Sequence, residues 1–411
     1  MRVLVLSSVF PNPKQPTLGV FVKERVRRIA RHCELRVVAA VSWFPLNRLI
    51  RGPRCTGIPF REEQEGLCVY HPPFLCMPRY FKWSDGVLYA CSLVPFLVRL
   101  RKDFPFELID AHFAYPDGMA GVLLARLFDC PVTVTLRGTI VPLSSFPVRR
   151  REIAWTLNEA TRVFAVSHSL KDVAVSLRVP PEKIRVIPNG IDPEAFRPWG
   201  QEDARRRLGL PLDRRILLSV GSLSPRKGHH RVLESLRRVI AERPDLFYVV
   251  VGGPGVEGDT GPLLRRLIRE LRLGGQVRLV GERPHEEIPD WLAAADLFCL
   301  ATSNEGRPNV ILEALACGLP VVTTRVGGNS EVVEEGVNGL LVEFGDREGL
   351  ARALLRGLVH PWDREAIAEK ARARSWDETA AEVLEEFRQL LAGGRGRAGA
   401  QARLEPSGRR P

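Results

Sequence analysis

In the stretch SNEGRPNVILEALACGLPVV, residues 303 to 322, two carboxylates stand eight residues apart. Glu305 lies in a loop broken by Gly306 and Pro308, and Glu313 lies inside an otherwise apolar helical run. Neither is a position where folding alone asks for a charge. Pro308 suits the first turn of a helix, because the N–H it lacks has no intrahelical partner there. A helix opening at Asn309 leaves the N–H groups of Asn309, Val310 and Ile311 beside the positive end of its dipole, which makes an anion site. Glu305 lies before that site and Glu313 one turn into the helix, so the two flank a bound anion. Carboxylates accept hydrogen bonds from vicinal hydroxyls, which suggests one glutamate for each sugar on either side of a diphosphate. The ligand that fits is a nucleotide sugar.

This stretch reads E-G-x-P-N-V-x-x-L-E-A and is followed by VGG at 326–328 and EVV at 331–333. It resembles the retaining nucleotide-sugar glycosyltransferases of family four, whose E-x7-E signature Glu305 and Glu313 match. The likeness spans nearly the whole chain and is weakest between residues 43 and 106. It implies the GT-B fold: two Rossmann-like, doubly wound α/β domains facing a central cleft. By the same resemblance Glu305 holds hydroxyls of the transferred sugar and Glu313 the nucleotide ribose. The Asn309 and Val310 amides, on the loop made by Gly306 and Pro308, face sugar or phosphate. The mechanism implied is front-face attack, with the departing phosphate accepting the acceptor's proton.

Other loops converge on the same chemistry. VGSLSPRKGHH puts Arg226 and Lys227 between a strand and a helix, where cations would neutralise a leaving diphosphate. Family members often carry an arginine where this chain has Ser222, so the weight falls on Lys227 and Arg226. Gly19 opens a helix after the first strand, a point where backbone can approach a donor phosphate; the family usually has a glycine pair there. LIDAHFAYPDG leaves His112 at a strand end, assigned by the resemblance to contacts near the reacting sugar, in a catalytic and acceptor role. VTVTLRGTIV places Arg137 after the next strand as an acceptor residue, although Ile140 stands where related sequences carry aspartate. Glu282 ends a further strand and is counted with the donor loops.

A rival reading comes from Gly253, Gly255 and Gly258, whose G-x-G-x-x-G spacing after a strand imitates a dinucleotide fingerprint and would suit an NAD(P)-dependent enzyme. It leaves Glu305 and Glu313 unexplained. No two aspartates stand two residues apart, so the D-x-D pair that holds a metal on the diphosphate in many other glycosyltransferases is missing. A metal-independent reaction with a UDP- or GDP-sugar and no further cofactor is the expectation.

These loops need rigid elements behind them. The first half alternates Val/Ile/Leu runs (RVLVLS, LRVVAAV, LCVYHP, LIDAH, PVTVTL, RVFAVS, KIRVIPNGI) with amphipathic stretches, the pattern of a parallel sheet covered on both faces. A second series begins at RILLSVGSL, after a linker NGIDPEAFRPW. The predicted domains are 1–193, binding the acceptor, and 194–374, binding the donor. A last helix, 375–392, packs back on the first domain, and 393–411 form a disordered basic tail.

The chain has 411 residues and a net charge of +12. About +10 of that charge falls in residues 1–195 and about +4 in the last 19 residues, leaving the second domain near neutral. A basic first domain suits anionic partners such as a lipid-linked saccharide acceptor or a phospholipid surface. FLCMPRYFKW (74–83) and SWFPLNRLIRGPR (42–54) mix aromatic and cationic side chains as a headgroup layer would require. Charge alone also admits a nucleic-acid-binding protein, but no binding module accompanies it. Eight cysteines without a C-x-x-C pair read as reduced thiols. With no signal peptide and no run long enough to span a bilayer, a cytoplasmic protein is expected, peripheral at the inner face of the cell membrane.

Overall fold

The computed structural model describes residues 1–44, 57–77, 81–255 and 257–402, the side chains of 394–402 excepted. The chain forms two compact units, one of Met1–Pro188 with the chain from Trp376 onward, the other of Asn189–Ser375.

In the first unit the strands are β1 (Arg2–Leu6), β2 (Glu34–Val38), β3 (Val41–Trp43), β4 (Arg61–Gln64) and β5 (Leu67–Tyr70), then β6 (Pro73–Leu75), β7 (Leu108–His112), β8 (Val132–Leu136), β9 (Arg162–Ala165) and β10 (Ile184–Val186). Eight of them make one sheet in the order β10-β9-β8-β7-β1-β2-β5-β4. All its pairs are parallel except β4 with β5. β7 and β8 are buried at every residue, as central strands covered on both faces must be. The seven predicted runs are all strands. The antiparallel edge β4, a polar REEQ, and the short pair β3–β6 carry too little apolar pattern to be read from sequence.

In the second unit β11 (Arg215–Val220), β12 (Leu246–Val251), β13 (Val277–Gly281), β14 (Leu297–Leu300), β15 (Val321–Thr324) and β16 (Gly339–Val342) form a wholly parallel sheet. Its order is β13-β12-β11-β14-β15-β16. That is the doubly wound order, with the strand sequence reversing between β11 and β14. Apolar clusters cover both faces, one around Phe298 and Ile311, the other around Leu217 and Val322. The loops leaving β11 and β14 open side by side at the switch point, where ligands bind in such sheets.

Two boundaries differ from the sequence reading. The NGIDPEAFRPW segment, expected as a linker, is packed: Ile191 and Phe196 join the core around Phe298, and Ile191 N donates to Arg374 O. The first boundary therefore falls at Pro188/Asn189, five residues before the predicted one. The last helix, Trp376–Ala402, runs through the glycine-rich residues expected to be unstructured, while 403–411 lie outside the described residues. It does return to the first unit, burying Ala380, Val383, Leu384 and Phe387 against Val3, Val5, Val22 and Ile29. Asp377 bonds Arg28 at 2.9 Å, and Glu386 pairs with Arg162 and Arg185 at 3.0 Å.

The two aromatic and cationic stretches divide. Phe44 and Phe74 are core residues, whereas Trp43, Phe81 and Trp83 are about half exposed; positions 45–54 and 78–80 lie outside the described residues. No disulfide joins the cysteines among the described residues. Among the described residues no helix is long and apolar enough to cross a membrane.

Candidate functional site

The helix Asn309–Ala316 begins after Pro308, as its sequence requires, and no side chain caps it. Ile311 N bonds back to Pro308 O at 3.1 Å, so the helix start itself uses one of the three amides expected to be open; Asn309 and Val310 remain as candidates. The Asn309 side chain is fixed by Asn189, whose Nδ2 donates to Asn309 Oδ1 at 2.7 Å.

Glu305 is buried at the mouth of this loop. Its Oε1 accepts from Lys227 Nζ at 2.7 Å, Arg226 Nη1 at 2.9 Å and Thr302 Oγ1 at 3.2 Å. Oε2 takes none of these three donors. Burial alone would raise the carboxyl; the Lys227 and Arg226 charges more than offset this and hold it below its ordinary value. Glu305 is therefore a carboxylate, an acceptor only, anchored through one oxygen.

Backbone contacts fix the loop. Arg226 O accepts from Ser303 N at 2.9 Å, which ties the loop after β11 to the loop after β14. Gly228, at φ +77°, opens the helix His229–Glu242 with its Cα against Ala301 O; a Cβ there would stand 1.9 Å from that oxygen. Across the loop lie the two glycines of the VGG segment. A Cβ on Gly327 would meet Glu305 O at 2.0 Å, and one on Gly328 would meet Gly306 O at 2.1 Å. These glycines let a third loop lie directly on the Glu305–Gly306 backbone.

Glu313 is one turn into the helix and does not meet Glu305. Its Oε1 lies 3.0 Å from His285 Nε2. Nothing in the sequence around His285 marks it for this contact; only PHEE after a strand hints at a loop there. Glu282, at the end of β13, stands beside Gly253, where a Cβ would come within 3.0 Å of it.

The sequence assigns both cations to a diphosphate, and the structure adds what they already touch. Besides Glu305, Arg226 bonds the Asn304 carbonyl at 3.1 Å, and its Nε donates to both oxygens of Glu257 at 2.8 and 2.9 Å. Glu257, which no sequence pattern singles out, thus belongs to the site. The glycines at 253, 255 and 258 are not a dinucleotide fingerprint. Gly255 and Gly258 exchange backbone hydrogen bonds in a tight turn, and the following helix starts only at Gly261. The turn also follows β12, not β11, the strand beside the switch point.

In the first unit His112 and Arg137 come together but are enclosed, not open at a strand end. Their exposures are 0% and 5%. Arg137 Nη2 lies 3.4 Å from His112 Nδ1, and its guanidinium stacks over Phe21 at 4.6 Å. His112 Nε2 is 3.3 Å from Asp110 Oδ2 without hydrogen-bond alignment. Asp110 is also held by Thr133 at 2.7 Å and Arg25 at 3.4 Å. Burial pushes His112 down to about 4, against the opposing pull of Asp110, so the ring is neutral at pH 7. Gly19, at φ +71°, has a structural reason to be glycine: a Cβ would stand 2.3 Å from Val9 O. Among the described residues no group of three or more His, Cys, Asp or Glu side chains could hold a metal ion.

Residues 200–374 match the model described as Glycosyl transferases group 1, and residues 53–195 match Glycosyltransferase Family 4. The putative teichuronic acid biosynthesis glycosyltransferase TuaC of Bacillus subtilis is 30% identical over 368 residues, covering 87% of this chain and 89% of its own. A D-inositol 3-phosphate glycosyltransferase of Thermobispora bispora is 37% identical over 254 residues, 59% of this chain and 57% of its own. The structure of Anabaena HepE in complex with UDP superposes with a TM-score of 0.72 at 23% identity, over 95% of this chain and 100% of that one.

Proposed function

The chain belongs to the family four glycosyltransferases and has the GT-B fold, and from that premise we propose that it is a retaining, metal-independent hexosyltransferase of cell-surface polysaccharide assembly. As a member of this family it moves a sugar from a nucleotide-sugar donor to an acceptor. In the proposed reaction the donor is a UDP- or GDP-sugar, bound by the second unit, and the acceptor is a saccharide or lipid-linked saccharide, bound by the first. Glu305 orients the transferred sugar, Glu313 takes the ribose hydroxyls, and the Asn309–Val310 end of the helix faces sugar or phosphate. Arg226 and Lys227 stabilise the diphosphate as the glycosidic bond breaks, when negative charge grows on the leaving oxygen. The departing phosphate accepts the acceptor's proton. His112 and Arg137 act on the acceptor side, and the basic first unit rests at the cytoplasmic face of an anionic membrane.

The observation that carries this reading is Glu305 Oε1 bound by Lys227, Arg226 and Thr302 at the β11/β14 switch point. A charged carboxylate and two cations stand there beside a helix start, each able to meet a different part of a nucleotide sugar. A ligand that binds only the folded state raises its melting temperature. UDP or GDP should therefore stabilise the protein, with EDTA making no difference, and Glu313→Ala should abolish the shift. Stabilisation by NAD alone would overturn the reading.

A further inference from the structure

We propose that Glu257 is a built-in competitor for the donor diphosphate: its carboxylate occupies Arg226 until a nucleoside diphosphate displaces it, and it hastens departure of the product nucleotide. This rests on the reading of Arg226 and Lys227 as the diphosphate's partners.

Arg226 presents two edges. Nη1 is spent on Glu305 Oε1 and Asn304 O, and Nε on both oxygens of Glu257. Arg226, Lys227, Glu305 and Glu257 together carry no net formal charge, so a diphosphate gains little from the two cations unless one carboxylate leaves. The two carboxylates are not equally able to do so. The Glu305 side chain is 9% exposed and its Oε1 takes three donors, whereas Glu257 is 40% exposed and reaches only Arg226 Nε among the hydrogen bonds described for it. A phosphate oxygen meets a guanidinium edge as a carboxylate oxygen does, so Glu257 occupies the place a phosphate would take.

The turn that carries Glu257 is built to present it. Gly255 N bonds Gly258 O at 3.1 Å and Gly258 N bonds Gly255 O at 3.2 Å, closing the loop tightly around position 257. Leu223 N donates to Gly253 O at 2.7 Å and Thr260 N to Leu223 O at 2.6 Å, which stitches both ends of the turn to the loop that carries Arg226. A Cβ on Gly255 would come within 2.9 Å of Ser222. The glycine spacing that mimics a dinucleotide fingerprint thus serves the approach of an acidic turn to a basic loop.

The test is equilibrium and stopped-flow binding of UDP and GDP, with the nucleosides uridine and guanosine as controls, to the whole chain and to Glu257→Gln. Glutamine keeps the size and removes the charge. The variant should bind the diphosphate roughly tenfold more tightly, mainly through slower release, as expected on removing a like charge from a binding site. Nucleoside binding should not change. In an Arg226→Ala background the Glu257→Gln gain should vanish. Wild-type diphosphate binding with an unchanged or weakened Glu257→Gln would overturn the competitor role and leave Glu257 as a clamp that positions Arg226. Failure of both diphosphates to bind either protein would overturn the donor-site reading, and this proposal with it.

Discussion

At Glu305 one carboxylate oxygen accepts hydrogen bonds from two cations while the other stays outside that cluster. Glu305→Gln should keep the loop in place, since Thr302 and the backbone contacts remain, yet lose the charge that aligns Lys227 and Arg226. Turnover is expected to fall by roughly 100-fold or more with donor affinity changed far less, in line with loss of one transition-state contact. Steady-state kinetics with full turnover would sink the role given to Glu305. A second residue links chemistry to pH. Asp117 is buried and accepts from Ser8 N, from Ser8 Oγ at 2.9 Å and from Tyr89 at 3.3 Å. Burial outweighs these donors and pushes the carboxyl up to about 7. A raised folded value means that its contribution is present below the unfolded value near 3.8 and is lost as pH rises through about 7. Asp117→Asn lacks that loss, so its melting temperature should gain on the wild type from pH 5 to pH 8, by up to roughly 1.4 kcal/mol of stability per pH unit. A constant gap across that range would contradict the raised value.

Among the elements, the loops that meet at the switch point are held by backbone proximity more than by side chains. Gly327 sits at φ +48° with Glu305 O where its Cβ would be. Gly327→Ala should therefore displace the Glu305 loop, lowering stability by about 1–3 kcal/mol and weakening UDP or GDP binding together, measured by thermal melts with and without nucleotide. Binding left intact would show that the loop relaxes without cost. The strands and helices that carry these loops are legible in sequence, because Val/Ile/Leu runs such as LFYVVV and DLFCL are needed where a parallel strand is covered on both faces. The backbone of the Glu305 loop is legible too, since Pro308 stops the loop and opens a helix at Asn309. Partners set by tertiary approach are not legible. Glu257 and Arg226 are 31 residues apart and His285 and Glu313 are 28 apart, with no periodicity to join them. His112 reads as open because strand ends usually are; its burial beside Arg137, itself stacked over Phe21, is a property of the folded unit alone.

For the molecule as a whole, the notable feature is that the first unit is assembled from both ends of the chain. Phe387 is fully buried and lies 6.2 Å from the Phe164 ring. Phe387→Ala should destabilise the first unit by about 3–5 kcal/mol while the Asn189–Ser375 unit keeps its own transition, as urea unfolding followed by two probes would resolve. A single shared transition shifted as one would contradict such independence. Connectivity also sets an order in time. The second unit is one uninterrupted segment and can close as soon as it leaves the ribosome, but the first must wait for residues made after it. About 200 residues separate Pro188 from Phe387, so at about 5–20 residues per second the apolar face of Val22, Val26 and Ile29 waits roughly 10–40 s for its last helix after the rest of its unit has been made. For that interval the nascent protein presents a sticky half-core to the cell, and chaperone capture during translation should concentrate there.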